Sequence, residues 1–135
     1  MAVLRTENEK YKHAGITRSI IGFSLTVHNQ LGNGFQELIY HRALAIEMKK
    51  KELIFLDELE VSIFYDGIEI GKRRVNFLAE NVIPLEIKAV KQLDNIHLAQ
   101  AINYLEAYKM EVGLLINFGS IRLDFHQIGI PNKAK

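Results

Sequence analysis

The sequence predicts a mixed α/β domain in which helices cover a central sheet. Three observations carry this. Two stretches near the start repeat apolar residues every three to four positions, the middle of the chain changes to a period of two, and a further helical stretch separates the last strands. The resulting order is α, α, β, β, β, α, β, β, with no internal repeat and no linker-like segment. The 135 residues suit a single domain with one core. They divide into an N-terminal arm over 1–15, a domain over 16–130 and a short tail over 131–135.

The first helix is expected from Thr17, its N-cap, to Leu31. Ile16, Ile20, Phe23, Val27 and Leu31 mark its apolar face. Gly32-Asn33-Gly34 stops it, because glycine and asparagine accept the positive φ of a helix end. A second helix is expected from Phe35 to Lys51, with Leu38, Ile39, Ala43, Ile46 and Met48 facing the core. The period then changes. Leu59 to Tyr65 alternates, Asp66-Gly67 turns the chain, and Ile68 to Ala79 returns as the partner strand. Val82 to Val90 is a third strand. Asp94 caps a helix running to Met110, with Leu98, Ala101, Ile102, Leu105 and Tyr108 as its buried stripe. Val112 to Phe118 and Ile121 to Ile128 complete the sheet.

Composition excludes several functions. There is no cysteine, hence no disulfide, thiolate zinc site or cysteine nucleophile. The net charge of +1 does not by itself point to nucleic acid or a membrane. No apolar run approaches the roughly 18 residues that span a bilayer. A cytoplasmic protein with no membrane partner is therefore expected. Gly-x-Ser-x-Gly, a phosphate-binding glycine loop and His-Glu-x-x-His are all missing. Lys49-Lys50-Lys51 and Lys72-Arg73-Arg74 are short basic runs, of the kind that most often form a solvated face.

The chemistry concentrates in "RRVNFLAENVIPLEIKAV", Arg73 to Val90. Side chains alternate along a strand, so Glu86, Lys88 and Val90 share one face while Leu85, Ile87 and Ala89 share the other. Charges flanked by apolar residues in an inner strand are costly unless they are paired or hold a metal. If Glu80-Asn81-Val82 is the loop, Ala79 pairs with Ile83 and Asn76 lies opposite Glu86. A loop one residue shorter would send Asn76 to the wrong face. Glu37 and Tyr40 are neighbours on the second helix, and His97, Gln100 and Tyr104 share one side of the third.

These residues resemble a known pattern. "GFQELIY", with Gly34, Glu37 and Tyr40 in place, resembles the signature of the GxxExxY proteins, and Glu-x-Lys followed by Gln-x-x-x-Tyr at Gln100 and Tyr104 continues it. The resemblance runs from Ile16 to Ile128 and implies membership of the PD-(D/E)XK nuclease-like superfamily. It implies a restriction-endonuclease-like fold, a central mixed sheet flanked by helices, and Mg²⁺- or Mn²⁺-dependent hydrolysis of nucleic acid, DNA ahead of RNA. Glu86, Glu37, the residue at position 76 and the Ile87 carbonyl would be metal ligands. Lys88 would orient the attacking water, and Gln100 and Tyr104 would support the site or touch the substrate backbone. Lys72, Arg73, Arg74 and Lys91 would form basic rims.

The departure is Asn76, where the superfamily carries an aspartate. A neutral ligand withholds a charge interaction worth on the order of 4 kcal/mol at 4 Å and an effective dielectric of 20. Half of that weakens cation affinity roughly thirtyfold, at about 1.4 kcal/mol per decade. Glu80 shares the face of Asn76 but lies roughly 13 Å along the strand and does not replace it. Weak or absent hydrolysis is expected. A binding module that keeps the fold is the alternative, with Lys88 paired to Glu86 or Glu37. A third reading is a homodimer using Val112 to Phe118 and the last hairpin as a sheet edge or apolar patch.

Overall fold

The computed structural model describes residues 3–5 and 13–129. The elements are β1 (Val3–Arg5), α1 (Ala14–Leu31), α2 (Glu37–Lys50), β2 (Phe55–Tyr65), β3 (Ile68–Ala79), β4 (Ile83–Lys88), α3 (Asn95–Tyr108), β5 (Val112–Asn117) and β6 (Asp124–Gly129). They form a six-stranded sheet in the order β1-β6-β5-β4-β3-β2. Only the β4–β5 contact is parallel, and α3 is the crossover it requires. Helices flank both faces. α1 and α2 pack on Phe77, Leu85, Ile87, Leu114 and Ile116. α3 packs through Ala101 and Leu105 on Leu115 and Ile128. The alternation read for Leu85 to Val90 thus holds, with Leu85 and Ile87 turned to α1 and α2.

Both turns follow the expected chemistry. Asp66 and Gly67 have φ of 53 and 75, a two-residue hairpin turn closing the Tyr65↔Ile68 pair. Glu80-Asn81-Val82 is the three-residue loop, with Ala79 paired to Ile83 and φ of 51 and 61 at Glu80 and Asn81. Asp94 caps α3 through the amides of Ile96 and His97, and His97 Nδ1 accepts in return from the Asp94 amide.

Four expectations need correction. Thr17 does not cap α1; the helix starts at Ala14, and the buried Thr17 hydroxyl donates to the Ala14 carbonyl at 2.9 Å. The core stripe of α2 is Tyr40, His41, Leu44 and Met48, whereas Leu38, Ile39 and Ile46 are exposed. β2 begins at Phe55 rather than Leu59. The segment Val112 to Phe118 offers no sheet edge, because β5 lies between β4 and β6, and β6 is itself covered by β1. β1 is a strand that the sequence pattern does not reveal, and Ala14 and Gly15, expected in the arm, open α1; residues 1–2, 6–12 and 130–135, which include the tail over 131–135, lie outside the described residues.

Tyr40 has a structural task. Its hydroxyl donates to the Gly32 carbonyl at 2.6 Å and accepts from the Phe35 amide at 3.1 Å. Its ring stacks on Phe118 at 4.7 Å. The loop that delivers Glu37 is thereby tied to the core. Tyr40→Phe leaves both backbone groups unmet, and urea denaturation is expected to show a loss of about 1–3 kcal/mol.

Candidate functional site

The β3–β4 ladder ends at Phe77↔Leu85. One step further, where Asn76 stands opposite Glu86, a side chain continues it: the Ile87 amide donates to Asn76 Oδ1 at 2.8 Å. The Asn76 amide nitrogen faces His41 Nδ1 at 3.2 Å. With that nitrogen donating, His41 carries its proton on Nε2 and donates to Asp57 Oδ1 at 2.7 Å. His41 is buried and stacks on Phe77 at 4.1 Å. Asn76 is therefore fixed in orientation, with its oxygen toward β4.

A cavity of about 250 Å³ opens at this point, lined by Glu37, Glu58, Arg73, Arg74, Asn76, Glu86, Ile87 and Lys88. Glu37 reaches it from the first turn of α2, Asn76 from β3, and Glu86, Ile87 and Lys88 from β4. A smaller hollow beside it shares Arg73, Glu86 and Lys88 and adds His97, Gln100 and Tyr104 from α3. Most of the expected site is thus brought together. Gly34 and Tyr40 do not line either space; Gly34 lies in the loop before Glu37, and Tyr40 holds that loop through Gly32 and Phe35. Lys72 is exposed, 3.8 Å from Glu60, and Lys91 is exposed; neither lines the cavity.

Arg73 is not a rim residue. Its guanidinium donates to Glu86 Oε1 at 2.9 Å and lies 4.4 Å from the centre of the Tyr104 ring. Arg74 donates to Glu58 Oε1 at 3.1 Å. Among the described residues no ion pair joins Lys88 to Glu86 or Glu37; Arg73 pairs with Glu86 instead. The Glu86 side chain is 9% exposed and that of Arg73 28%. Burial pushes the Glu86 carboxyl up to about 7, against the pull of Arg73 and Lys88, and Glu37 adds to the rise. Arg73 is raised as well: burial opposes its charge, but Glu86 and the two tyrosines Tyr108 and Tyr104 together outweigh it. The cost of the pair falls on Glu86, the more deeply buried partner.

The donor set suits a hard cation. Glu86 Oε2 is buried with no hydrogen-bond partner, an acceptor that a cation would satisfy. Glu37 adds a carboxylate, and Ile87, also a lining residue, has a backbone carbonyl to offer. All are oxygen ligands, as Mg²⁺ and Mn²⁺ prefer. Asn76 Oδ1 already accepts the Ile87 amide and carries no charge, which makes it the weakest member.

Three residues were missed in the sequence: His41, Asp57 and Glu58. Their ligand atoms all lie within 4.8 Å of one another. A signal existed for His41, four positions after Glu37 and so on the same side of the helix. Asp57 and Glu58 lie before Leu59, where the strand was expected to begin, but inside β2.

A mixed sheet with helices on both faces, carrying a carboxylate and a lysine at the end of an inner strand, defines the class of PD-(D/E)XK-type nuclease folds. The family model of the PD-(D/E)XK nuclease superfamily matches residues 14–128, and the chain belongs to that superfamily. Among solved proteins the chain is similar to the crystal structure of SSO0001, with a TM-score of 0.54 and 23% identity. That likeness covers 70% of this chain and 50% of the other, and it concerns the fold. No curated protein matches the chain.

Proposed function

We propose that the chain is a GxxExxY-type nuclease-like protein whose cavity hydrolyses phosphodiester bonds of DNA with Mg²⁺ or Mn²⁺, slowly because of Asn76. The observation that carries this is the convergence of Glu37, Asn76, Glu86, Ile87 and Lys88 on one cavity from three separate elements. Bound there, a divalent cation supplies charge stabilisation and a more acidic attacking water. Glu86 and Glu37 provide the negative charge that holds it. The Lys88 ammonium orients the water and meets the charge that develops on the phosphate. Gln100 and Tyr104, in the adjoining hollow, contact the substrate backbone. Arg74, paired with the exposed Glu58 carboxylate, is available to phosphate.

The test compares this chain with Asn76→Asp. The added charge is expected to tighten Mn²⁺ binding roughly thirtyfold and to raise cleavage of duplex DNA. DNA association should weaken steeply with salt in both proteins. If neither protein is stabilised by Mn²⁺ in a thermal melt, the reading fails.

A second reading, a non-catalytic module that binds DNA or a protein, is favoured by one observation: Arg73 already occupies Glu86 Oε1. On that reading saturating Mg²⁺ leaves the NMR signals of the Arg73 guanidinium unchanged. On the first, Mg²⁺ at Glu86 Oε2 weakens the Arg73–Glu86 pair and shifts them.

A further inference from the structure

Position 76 lacks a charge, but the cavity contains a carboxylate close to it. Asp57↔Phe77 and Leu59↔Val75 are ladder pairs, and they bracket Glu58 and Asn76. The two residues are therefore opposite one another across β2 and β3, and both line the cavity. His41 closes the triangle. Its Nδ1 is 3.2 Å from the Asn76 amide, and the ligand atoms of His41, Asp57 and Glu58 are within 4.8 Å of each other. Glu58 has φ of 57, a left-handed conformation in the middle of a strand that glutamate does not favour.

The second observation comes from the far side of the cavity. Glu86 is 7% exposed, and its Oε2 is buried without a partner. Each of these two cavity carboxylates is otherwise capped by one of two consecutive arginines of β3: Glu86 by Arg73 and Glu58 by Arg74. The Arg74–Glu58 pair is solvent-exposed, with side chains 63% and 43% accessible. An ion pair so placed is weak and gives way to a divalent cation at little cost.

We propose that Glu58 supplies the carboxylate that position 76 lacks. A hard divalent cation is held by Glu58 together with Glu86, and Arg74 is released toward the phosphate backbone. The acid has been relocated to the neighbouring strand, one register position across from where the superfamily pattern puts it. This rests on the reading of the cavity as a cation-dependent nuclease site.

The experiment is Mn²⁺ titration of the full chain, followed by the EPR signal of free Mn²⁺. Glu58→Gln is expected to weaken binding about tenfold or more. Glu58→Asn should do the same while tolerating the left-handed backbone, and it replaces Glu58→Gln if that variant fails to fold. Adding Asn76→Asp to either variant is expected to restore binding, which loss of structure could not do. If the Glu58 variants bind as the parent does while Glu86→Gln does not, the Glu58 assignment is overturned and the cavity reading stands. If the parent fails to bind but Asn76→Asp binds, Glu58 does not compensate and the assignment is again overturned. If neither binds, the assignment and the reading fall together.

Discussion

Gly119→Ala is expected to destabilise the protein by about 3 kcal/mol and to displace Lys88 without touching it. A Cβ on Gly119 would stand 2.4 Å from the Val90 carbonyl oxygen, 2.5 Å from the Val90 nitrogen and 2.6 Å from the Ala89 carbonyl carbon. All three are backbone atoms, so no side chain can swing aside. That backbone is the continuation of β4 immediately after Lys88. It is locked to β5 from several directions: the Phe118 amide donates to the Lys88 carbonyl at 2.9 Å. Asn117 Oδ1 accepts from Val90 and Gly119 at 3.0 and 3.1 Å, and Asn117 Nδ2 donates to the Val90 carbonyl at 2.9 Å. Asn117 is fully buried, so opening this clamp strands its amide as well as straining the chain. A shift of the strand end moves Lys88 with it, and misplacement by about 1 Å can cost on the order of a hundredfold in rate. Urea denaturation of Gly119→Ala beside Gly34→Ala checks the stability. A methyl group on Gly34 would meet nothing within 4 Å, and its substitution should stay within about 0.5 kcal/mol.

The parts of the fold that the sequence made legible are those fixed by local chemistry. Asp66-Gly67 and Glu80-Asn81-Val82 dictate two turns, and the second turn sets the register that carries Asn76 to Glu86. Glu86 and Lys88 stood out because an alternating strand put charges between apolar neighbours. What was not legible depends on contacts distant in sequence. β1 exists only through its pairing with β6, at the other end of the chain. The α2 face was misread because a buried histidine and tyrosine hold the core side, while Leu38, Ile39 and Ile46 remain 48%, 38% and 58% exposed. His41 is tolerated there because Asn76 and Asp57 satisfy both ring nitrogens, partners that come from two other strands. Arg73 reads as surface charge in a basic run, and only the packing of α3 against the sheet places it between Glu86 and Tyr104.

Glu86 should leave its mark on the pH dependence of stability. The ordinary carboxyl value of 4.5 is raised to about 7 in the folded protein, burial being the largest cause. Between these values the folded state binds the proton and the unfolded state has released it. Stability therefore falls as pH rises through this window, and the loss is complete above about 7. The interval corresponds to about 3 kcal/mol, at about 1.4 kcal/mol per pH unit. Other carboxylates and histidines titrate nearby, so the measurement is a difference: unfolding free energies of the parent and Glu86→Gln from about pH 4 to about pH 8. The parent is expected to lose about 3 kcal/mol more than the variant across that range. Parallel curves would mean that Arg73 holds Glu86 ionised throughout. Divalent cation reverses the sign of the problem. On the proposed function a cation and a proton compete for the same carboxylate, so Mn²⁺ affinity should drop as pH falls below about 7. With saturating Mn²⁺ the stability slope of the parent should flatten toward that of the metal-free variant. The carboxylate whose burial costs stability at neutral pH is the same group whose Oε2 lacks a hydrogen-bond partner, so on the proposed function a bound cation would relieve both.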